Sequence, residues 1–452
     1  MEWQLIIERL NSLLSANRHN ELRGALMMLN VVDIAEFLST LETDKMLKVF
    51  RILPKDISAD VFSYMDDTQR QKLIESIGDS EIGSLISDMF IDDAVDFLEE
   101  LPAGLVKRVL ANVDENSRKI INRFLSYPEY SAGSIMTIEY CDFHMGITVH
   151  DALKELKRTG VDKETIYTLY VLDAQRKLLG TVPLRKLILA DDDVKIENLM
   201  NPNFICANTH DDQEAVADLV RKYDLLSVPV VDKEGRLVGI VTSDDIIDVI
   251  EEEATEDIEK MNALLPSEDE YMKTSVWTLA KNRLPWLMFM MISGIFTGLI
   301  ILHFETVLTA IPDLGLALTA CIPMLMGTGG NCGSQASTLA IRGLAVGEIA
   351  PSDAPGILWK EFRVATIVSV VLAVISFVIQ TLIFSRSCLV ALTVSLAMIA
   401  TVVLSKSIGC TLPVLAKKLR LDPALMAAPL ITTIVDACSL MILFFFSSVI
   451  IH

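Results

Sequence analysis

The sequence predicts a multidomain membrane protein. It should contain an N-terminal α-helical superhelical domain, an α/β pair of repeats, a charged connecting helix and an all-α transmembrane domain of five helices. Three observations predict this. Hydrophobic runs of spanning length are confined to the C-terminal part of the 452 residues. A strand–turn–strand pattern occurs twice, with 59 residues from Asp173 to Asp232 and from Gly180 to Gly239. Charge divides the same way: Met1–Ser275 carries a net of −24, from 53 acidic and 29 basic residues, and the remainder, with 7 and 10, a net of +3. The expected domains are 1–130 (helical, solenoid-like), 131–258 (the repeats), 245–275 (the acidic connecting helix, overlapping the end of the repeats) and 276–452 (the membrane domain).

Residues 1–130 read as short helices. Apolar positions such as Leu47, Phe50 and Leu53, then Leu73, Ile74 and Ile77, recur at helical spacing. Leu53-Pro54 and Leu101-Pro102 each close a short helix. A stack of small helices, a solenoid-like domain, follows. Met1–Leu14 is charged and amphipathic, so no signal peptide is expected there. An acidic soluble part argues against binding nucleic acid or an anionic membrane surface and would attract cations. The seven Cys show no CxxC pair, and five lie in or beside hydrophobic runs. They read as reduced or lipid-buried thiols, neither a disulfide framework nor a zinc site. No catalytic constellation is seen, and no enzyme is expected.

In 131–258, Val171-Leu172-Asp173 and Leu178-Leu179-Gly180-Thr181-Val182 return as Val230-Val231-Asp232 and Leu237-Val238-Gly239-Ile240-Val241. Each copy is a strand, a polar turn, a second strand and a helix. This duplication resembles tandem CBS domains, whose pairs bind adenine nucleotides or act as sensors. By that resemblance, Gly239–Asp245 fits the nucleotide pattern, with Thr242 near phosphate and Asp245 near ribose. In the first copy Pro183 and Lys186 take the matching positions and remove the hydroxyl and the acid. A pair serving only as scaffold or dimer platform stays open as the alternative to ATP binding.

Asp244–Lys260 is a dense acidic helix leading into the first hydrophobic run. Like charges three and four residues apart repel by roughly 0.2–0.5 kcal/mol per pair. Either the helix is a solvated linker, or divalent ions held by carboxylates and water relieve the repulsion; Mg²⁺, which keeps several waters, suits such clusters. Asp92, Asp93 and Asp96 open a helix further upstream, with Asp92 and Asp96 on one face. They either complement the helix dipole or join an ion site.

Five hydrophobic segments lie near Leu284–Phe304, Leu314–Ile341, Val364–Ser385, Ser387–Ala416 and Pro423–Ile451. Basic residues alternate between the loops: Lys273, Lys281 and Arg283 before the first, Arg342, Lys360 and Arg363 after the second, and Lys417, Lys418 and Arg420 after the fourth. This predicts a cytoplasmic N-terminus and an external C-terminus. Asp436 is the only charge in the last run. At bilayer depth a carboxylate costs about 2.5–3.5 kcal/mol on insertion scales and marks a candidate functional site. Met326–Gln335 supplies four glycines and small polar residues, which allow close backbone approach and can expose carbonyls to a water-filled path. Acid and glycine segment together suggest a cation path; an acid hydrogen-bonded within a bundle is the alternative. Lys406 interrupts the fourth run, and would pair with Asp422 or Asp436 or lie near the cytoplasmic end of a tilted helix.

Taken together, the acidic helical domain, the CBS-like pair, the charged helix, Gly329-Gly330-Asn331 with Gln335, the segment Leu421–Leu425 and Asp436 resemble the MgtE magnesium channel family over essentially the whole chain. The resemblance implies a homodimer in the lipid bilayer of the cell membrane, with a pore at the subunit interface. Asp436 would hold hydrated Mg²⁺, Asp422 would be the acid at the cytoplasmic end of the fifth span, and Asn331 a water acceptor. It implies intracellular Mg²⁺ sites at Asp92, Asp96, Glu214, Asp224, Asp245, Asp248, Glu253, Glu256 and Asp257. Ions bridging these acids would close the channel. Two other classes stay open. A secondary transporter of divalent cations coupled to Na⁺ or H⁺ calls for two or more intramembrane titratable groups. A membrane-anchored CBS sensor that moves nothing would need neither Asp436 nor the glycine segment.

Overall fold

The computed structural model describes residues 2–99, 101–266, 271–272, 274–304, 312–426 and 428–450. It divides into two units, Met1–Glu251 and Glu252–His452.

The first unit begins with ten helices among the described residues, from Glu2–Ser15 to Glu115–Phe124. Local chemistry sets their limits. Asn30, Asp66 and Asp114 accept backbone N–H groups at the starts of their helices, and Pro54 and Pro102 are the N-cap residues of Lys55–Ser63 and Ala103–Asn112. The short helices bury one apolar stripe each. Phe62 is the hub of an edge-to-face aromatic set, 6.4 Å from Phe50 and 4.9 Å from Phe97 between ring centroids.

The repeats form two three-stranded sheets with the same topology. In each, a short strand runs parallel to the first strand of an antiparallel pair: Asp142–His144 beside Thr168–Leu172, and Ala207–Asn208 beside Ser227–Val231. The register repeats to the residue. Val171 faces Gly180 and Val230 faces Gly239, and the irregularity falls one residue later in both. Both glycines are required by crossing backbones. A Cβ at Gly180 would lie 2.8 Å from the Asn201 carbonyl oxygen, and one at Gly239 2.7 Å from that of Thr137. The segment before the first repeat therefore pairs with the last strand of the second, Thr137 with Ile240, while the segment between the repeats pairs with the first, Thr181 with Asn201. The core of the second repeat, including Val228, Val230 and Val241, is continuous with that of the helical domain.

The connecting helix, Ser243–Met261, carries the division between the units within its length. The second unit has five long helices among the described residues: Val276–His303, Ile322–Ala345, Ala354–Val378, Cys388–Lys418 and Ala428–Ile450. Among the described residues four stretches are long and apolar enough to cross a membrane: Val276–His303, Pro351–Ile383, Cys388–Lys418 and Pro423–Ile450. The second long helix is diluted by its glycines and amides. The second hydrophobic segment is two helices, Pro312–Thr319 and Ile322–Ala345, because Pro323 lacks an N–H and belongs in a first helical turn. The third helix starts at Ala354, ten residues before the expected span, and so takes in Lys360, Glu361 and Arg363.

Candidate cation sites

In the first unit, carboxylates converge where the Ile91–Glu99 helix, the segment before strand Thr168–Leu172 and the start of the connecting helix meet. Asp92 is buried, and its Oδ1 accepts the Asp93 N–H at 3.0 Å. Burial, then Asp245, Asp93 and Glu164, hold its carboxyl well above the usual range. Burial and the charges of Asp245, Asp244 and Asp93 push Glu164 up to about 7. Asp245 is pushed up to about 6, chiefly by burial, although it accepts the Thr242 hydroxyl at 2.5 Å. Asp93 is raised by burial while a Ser63 hydrogen bond and Arg70 oppose the shift. A group of acids that resists ionisation lowers its energy by taking up protons or a cation. Among the described residues no three acidic, His or Cys side chains stand in a direct-ligand arrangement.

The other soluble residues singled out from the sequence lie on three helices. Asp96 is exposed one turn beyond Asp92. Glu214 and Asp224 sit at opposite ends of the Gln213–Tyr223 helix, about 15 Å apart along its axis, with Asp224 as its left-handed cap. Asp248 is exposed on the connecting helix and raised by partial burial, then by Glu251 and Asp244. Thr242 and Asp245, the residues assigned to nucleotide, are bonded to each other.

In the second unit, the connecting helix contributes Glu253, Glu256 and Asp257, all half-buried. Lys260 Nζ lies 2.7 Å from Glu256 Oε1 and 2.9 Å from Asp422 Oδ2. Burial opposes the Lys260 charge, but these two carboxylates outweigh it and raise its pKa. Asp257 is raised by burial and then by Asp422. Asp422 also accepts the Ala424 N–H at 2.8 Å, which starts the turn Pro423–Met426.

The glycine segment is a continuous helix, and its glycines are contact points between helices. A Cβ at Gly329 would lie 2.8 Å from both Thr401 and Val435, one at Gly330 3.0 Å from Thr432, and one at Gly333 2.7 Å from Ile431. A Cβ at Gly409 would lie 2.3 Å from the Gly333 carbonyl oxygen. The carbonyls of Gly329 and Gly330 therefore do not line a path as expected; Gly329 is buried and its carbonyl accepts the Ser405 hydroxyl. The exposed row of this helix is mixed: Asn331, Gln335 and Thr338 follow Gly327 at helical spacing, and Leu339 is exposed at its end. The antiparallel contacts of the second and fifth helices put half-buried Asp436 at the level of Gly327–Gly330. Lys406 pairs with neither Asp422 nor Asp436. Its Nζ lies 3.6 Å from Glu361 Oε2 on the third helix, and both side chains are largely buried, at 7% and 15% exposure.

Three residues escaped the sequence analysis. Glu164 lies in a loop without a motif. Lys260 is the sole base of an acidic helix, a legible signal. Glu361 fell outside the expected third span, although a buried Lys406 requires an acid within reach.

Residues 322–446 match the MgtE family of divalent cation transporters, residues 29–130 the MgtE intracellular N domain and residues 196–252 the CBS domain. The chain is 34% identical over 425 residues to the magnesium transporter MgtE of Thermus thermophilus, covering 93% of each chain. It is 31% identical over 452 residues to that of Bacillus subtilis, covering 100% of this chain and 99% of the other. Among solved structures it resembles the soluble part of a magnesium transporter, at 32% identity and TM-score 0.54, over 56% of this chain and 99% of the other. It also resembles the cytosolic domain of the Mg²⁺ channel MgtE in complex with ATP, at 34% identity and TM-score 0.51, over 54% of this chain and 99% of the other. With similarity at this level along its whole length, the chain belongs to the MgtE family of divalent cation transporters.

Proposed function

We propose that this protein is a Mg²⁺ channel of the cell membrane, that it works as a homodimer, and that Mg²⁺ on the cytoplasmic side closes it. The observation that carries this reading is the exposed amides and hydroxyl of Asn331, Gln335 and Thr338 on the second long helix, with Asp436 of the fifth helix level with the Gly327–Gly330 end of that row. Hydrocarbon cannot satisfy such groups, so they belong against water or another polar surface. A second copy, related by a two-fold axis, would close a water-filled path there and bring two Asp436 carboxylates to it. Asp436 concentrates a divalent cation, and Asn331 accepts hydrogen bonds from its water shell. Mg²⁺ dehydrates reluctantly, so a path fitted to the hydrated ion favours it. Asp422 stands at the cytoplasmic end. The N-terminus is cytoplasmic and the C-terminus outside, as the basic loops direct.

Closure is a population shift driven by ions on the acids of the soluble half. Asp92, Asp96, Glu214, Asp224, Asp245, Asp248, Glu253, Glu256 and Asp257 are the proposed sensor residues, and Asp93 and Glu164 extend the group around Asp92 and Asp245. ATP is proposed at the second repeat, at Thr242 and Asp245; the relative solved with ATP supports nucleotide binding by this half of the chain. The test is Mg²⁺ flux into liposomes with Mg²⁺ varied separately on each side. Flux that falls as cytoplasmic-side Mg²⁺ rises is expected. Flux indifferent to that side removes the gating, and no flux removes the channel.

One observation favours a second reading, a transporter coupled to H⁺ or Na⁺. Glu361 and Lys406 add buried titratable groups to Asp436. Uphill Mg²⁺ movement driven by a pH or Na⁺ gradient would select it.

A further inference from the structure

Lys406 is a buried charge in the membrane domain that the proposed path does not use. It lies on the fourth helix between Ser405 and Ser407, and its ammonium faces Glu361 of the third helix at 3.6 Å. Glu361 Oε2 makes no hydrogen bond, so the attraction is a charge pair without directional bonding. The neighbours of Lys406 face another way. Ser405 donates its hydroxyl to the Gly329 carbonyl, and its Oγ is 2.8 Å from where a Gly333 Cβ would be. One turn on, Gly409 lies against the Gly333 backbone. One short stretch of the fourth helix thus grips the third helix by charge and the glycine edge of the second by backbone contact.

The second helix needs such a grip. Gly327, Gly329, Gly330 and Gly333 fall within two turns, where glycine lowers helix propensity by about 1 kcal/mol per residue relative to alanine. The same glycine edge sets the register with the fifth helix, through Thr432, Val435 and Ser439, on either side of Asp436 in the chain. By these contacts Lys406 stands at the level of Gly333 and Ile431, between Asp422 at one end of the proposed path and Asp436 further along it. It acts from behind the second helix.

We propose that Lys406 and Glu361 are a positioning pair for the permeation path: by pinning the fourth helix to the third, they hold the Gly329–Gly333 edge in register and so set Asn331 against Asp436. The inference rests on the channel reading above. It distinguishes the pair from a general stabiliser, because displacement of the Asn331 face alters which ions pass as well as how many molecules fold.

The test uses the full chain in liposomes, with Mg²⁺ and Na⁺ flux measured per assembled molecule. The variants are K406M, E361Q, K406R and the exchanged pair K406E/E361K. K406M and E361Q should each lower Mg²⁺ flux about tenfold or more and reduce the ratio of Mg²⁺ to Na⁺ flux, since removing one partner leaves the other charge buried alone. K406R should keep the wild-type ratio, and the exchanged pair should recover most of it. If K406M does not assemble, the contrast between K406R and the exchanged pair on one side and E361Q on the other decides. Wild-type flux and ion ratio in an assembled K406M or E361Q overturn the inference. So does an exchanged pair that assembles but remains as impaired as the single variants. A wild-type protein that moves no Mg²⁺ overturns the channel reading itself, and is told apart because only then does the unmodified chain fail.

Discussion

The Lys260 ammonium stands 2.9 Å from the Asp422 carboxylate, so the inner end of the connecting helix is tied to the turn that precedes the fifth long helix. Glu256, one helical turn before Lys260, shares the same ammonium at 2.7 Å. Lysine here does what the proposed Mg²⁺ ions do elsewhere: it draws together acids that otherwise repel.

Replacing Lys260 with Met should therefore make closure more dependent on Mg²⁺. Glu256, Asp257 and Asp422 would face one another with less compensation. A partly exposed ion pair worth about 0.5–1 kcal/mol raises the Mg²⁺ concentration for half-closure roughly threefold. Flux titrated against cytoplasmic-side Mg²⁺ measures this, and an unchanged midpoint would show that the tie plays no part in closure.

Asp436→Asn should reduce Mg²⁺ flux to the leak of empty liposomes while leaving assembly intact. The side chain keeps its size and loses the charge that attracts the ion. Wild-type flux in this variant would remove Asp436 from the path.

Adenine nucleotide binding should depend on Asp245. Its link to Thr242 preorganises both groups in the second repeat, whereas the first offers Pro183 and Lys186. Asp245→Ala should weaken ATP binding at least about tenfold, the loss expected for hydrogen bonds to a charged group. Calorimetry on the full chain reads it, and tight binding that survives the change would relocate the site.

Proton and Mg²⁺ binding should compete in the soluble half. Asp92, Glu164 and Asp245 all titrate above their ordinary values of about 4 in the folded protein. The folded state then holds these protons more tightly than the unfolded state. Their contribution to its stability is fullest at low pH and is lost as pH rises from about 4 through about 7. Mg²⁺ replaces the lost protons, so millimolar Mg²⁺ should raise the melting temperature of residues 1–270 more at about pH 7.5 than at about pH 5.5. Na⁺ at equal ionic strength should do much less, because screening does not bridge carboxylates. Equal Mg²⁺ effects at both pH values would dissociate the buried acids from ion binding.

Gly409→Ala should destabilise the membrane domain by about 1–3 kcal/mol, the usual range for overpacking. Its methyl group would lie 2.3 Å from the Gly333 carbonyl oxygen, and backbone cannot yield as a side-chain tip can. Thermal unfolding in detergent measures the loss.

Most of the architecture is legible in the sequence because repetition and hydrophobicity are local signals. The 59-residue offset reappears in the strand register, Val171 with Gly180 and Val230 with Gly239. The sites are less legible because they depend on distant segments meeting. Nothing near Glu164 announces that a helix carrying Asp92 will face it. Glu361 was hidden by its neighbours Lys360 and Arg363, which mark a loop by composition although both lie exposed on a helix that has already begun. The glycine segment predicts both close backbone approach and exposed carbonyls; the fourth and fifth helices use the first, inside an unbroken helix whose Gly329 carbonyl is taken by Ser405.

The crossed pairing of the repeats also imposes an order on synthesis. Thr137 leaves the ribosome long before Ile240, the residue whose backbone it bonds in both directions, at 2.8 and 2.9 Å. Met136 and Ala132, beside it, belong to a core that also needs Val228 and Val241. The helical domain emerges first yet cannot close its lower edge until the second repeat has been made. A chain truncated between the repeats would lack Val228, Val241 and Ile240, and so would leave Ala132, Met136 and Thr137 without these partners.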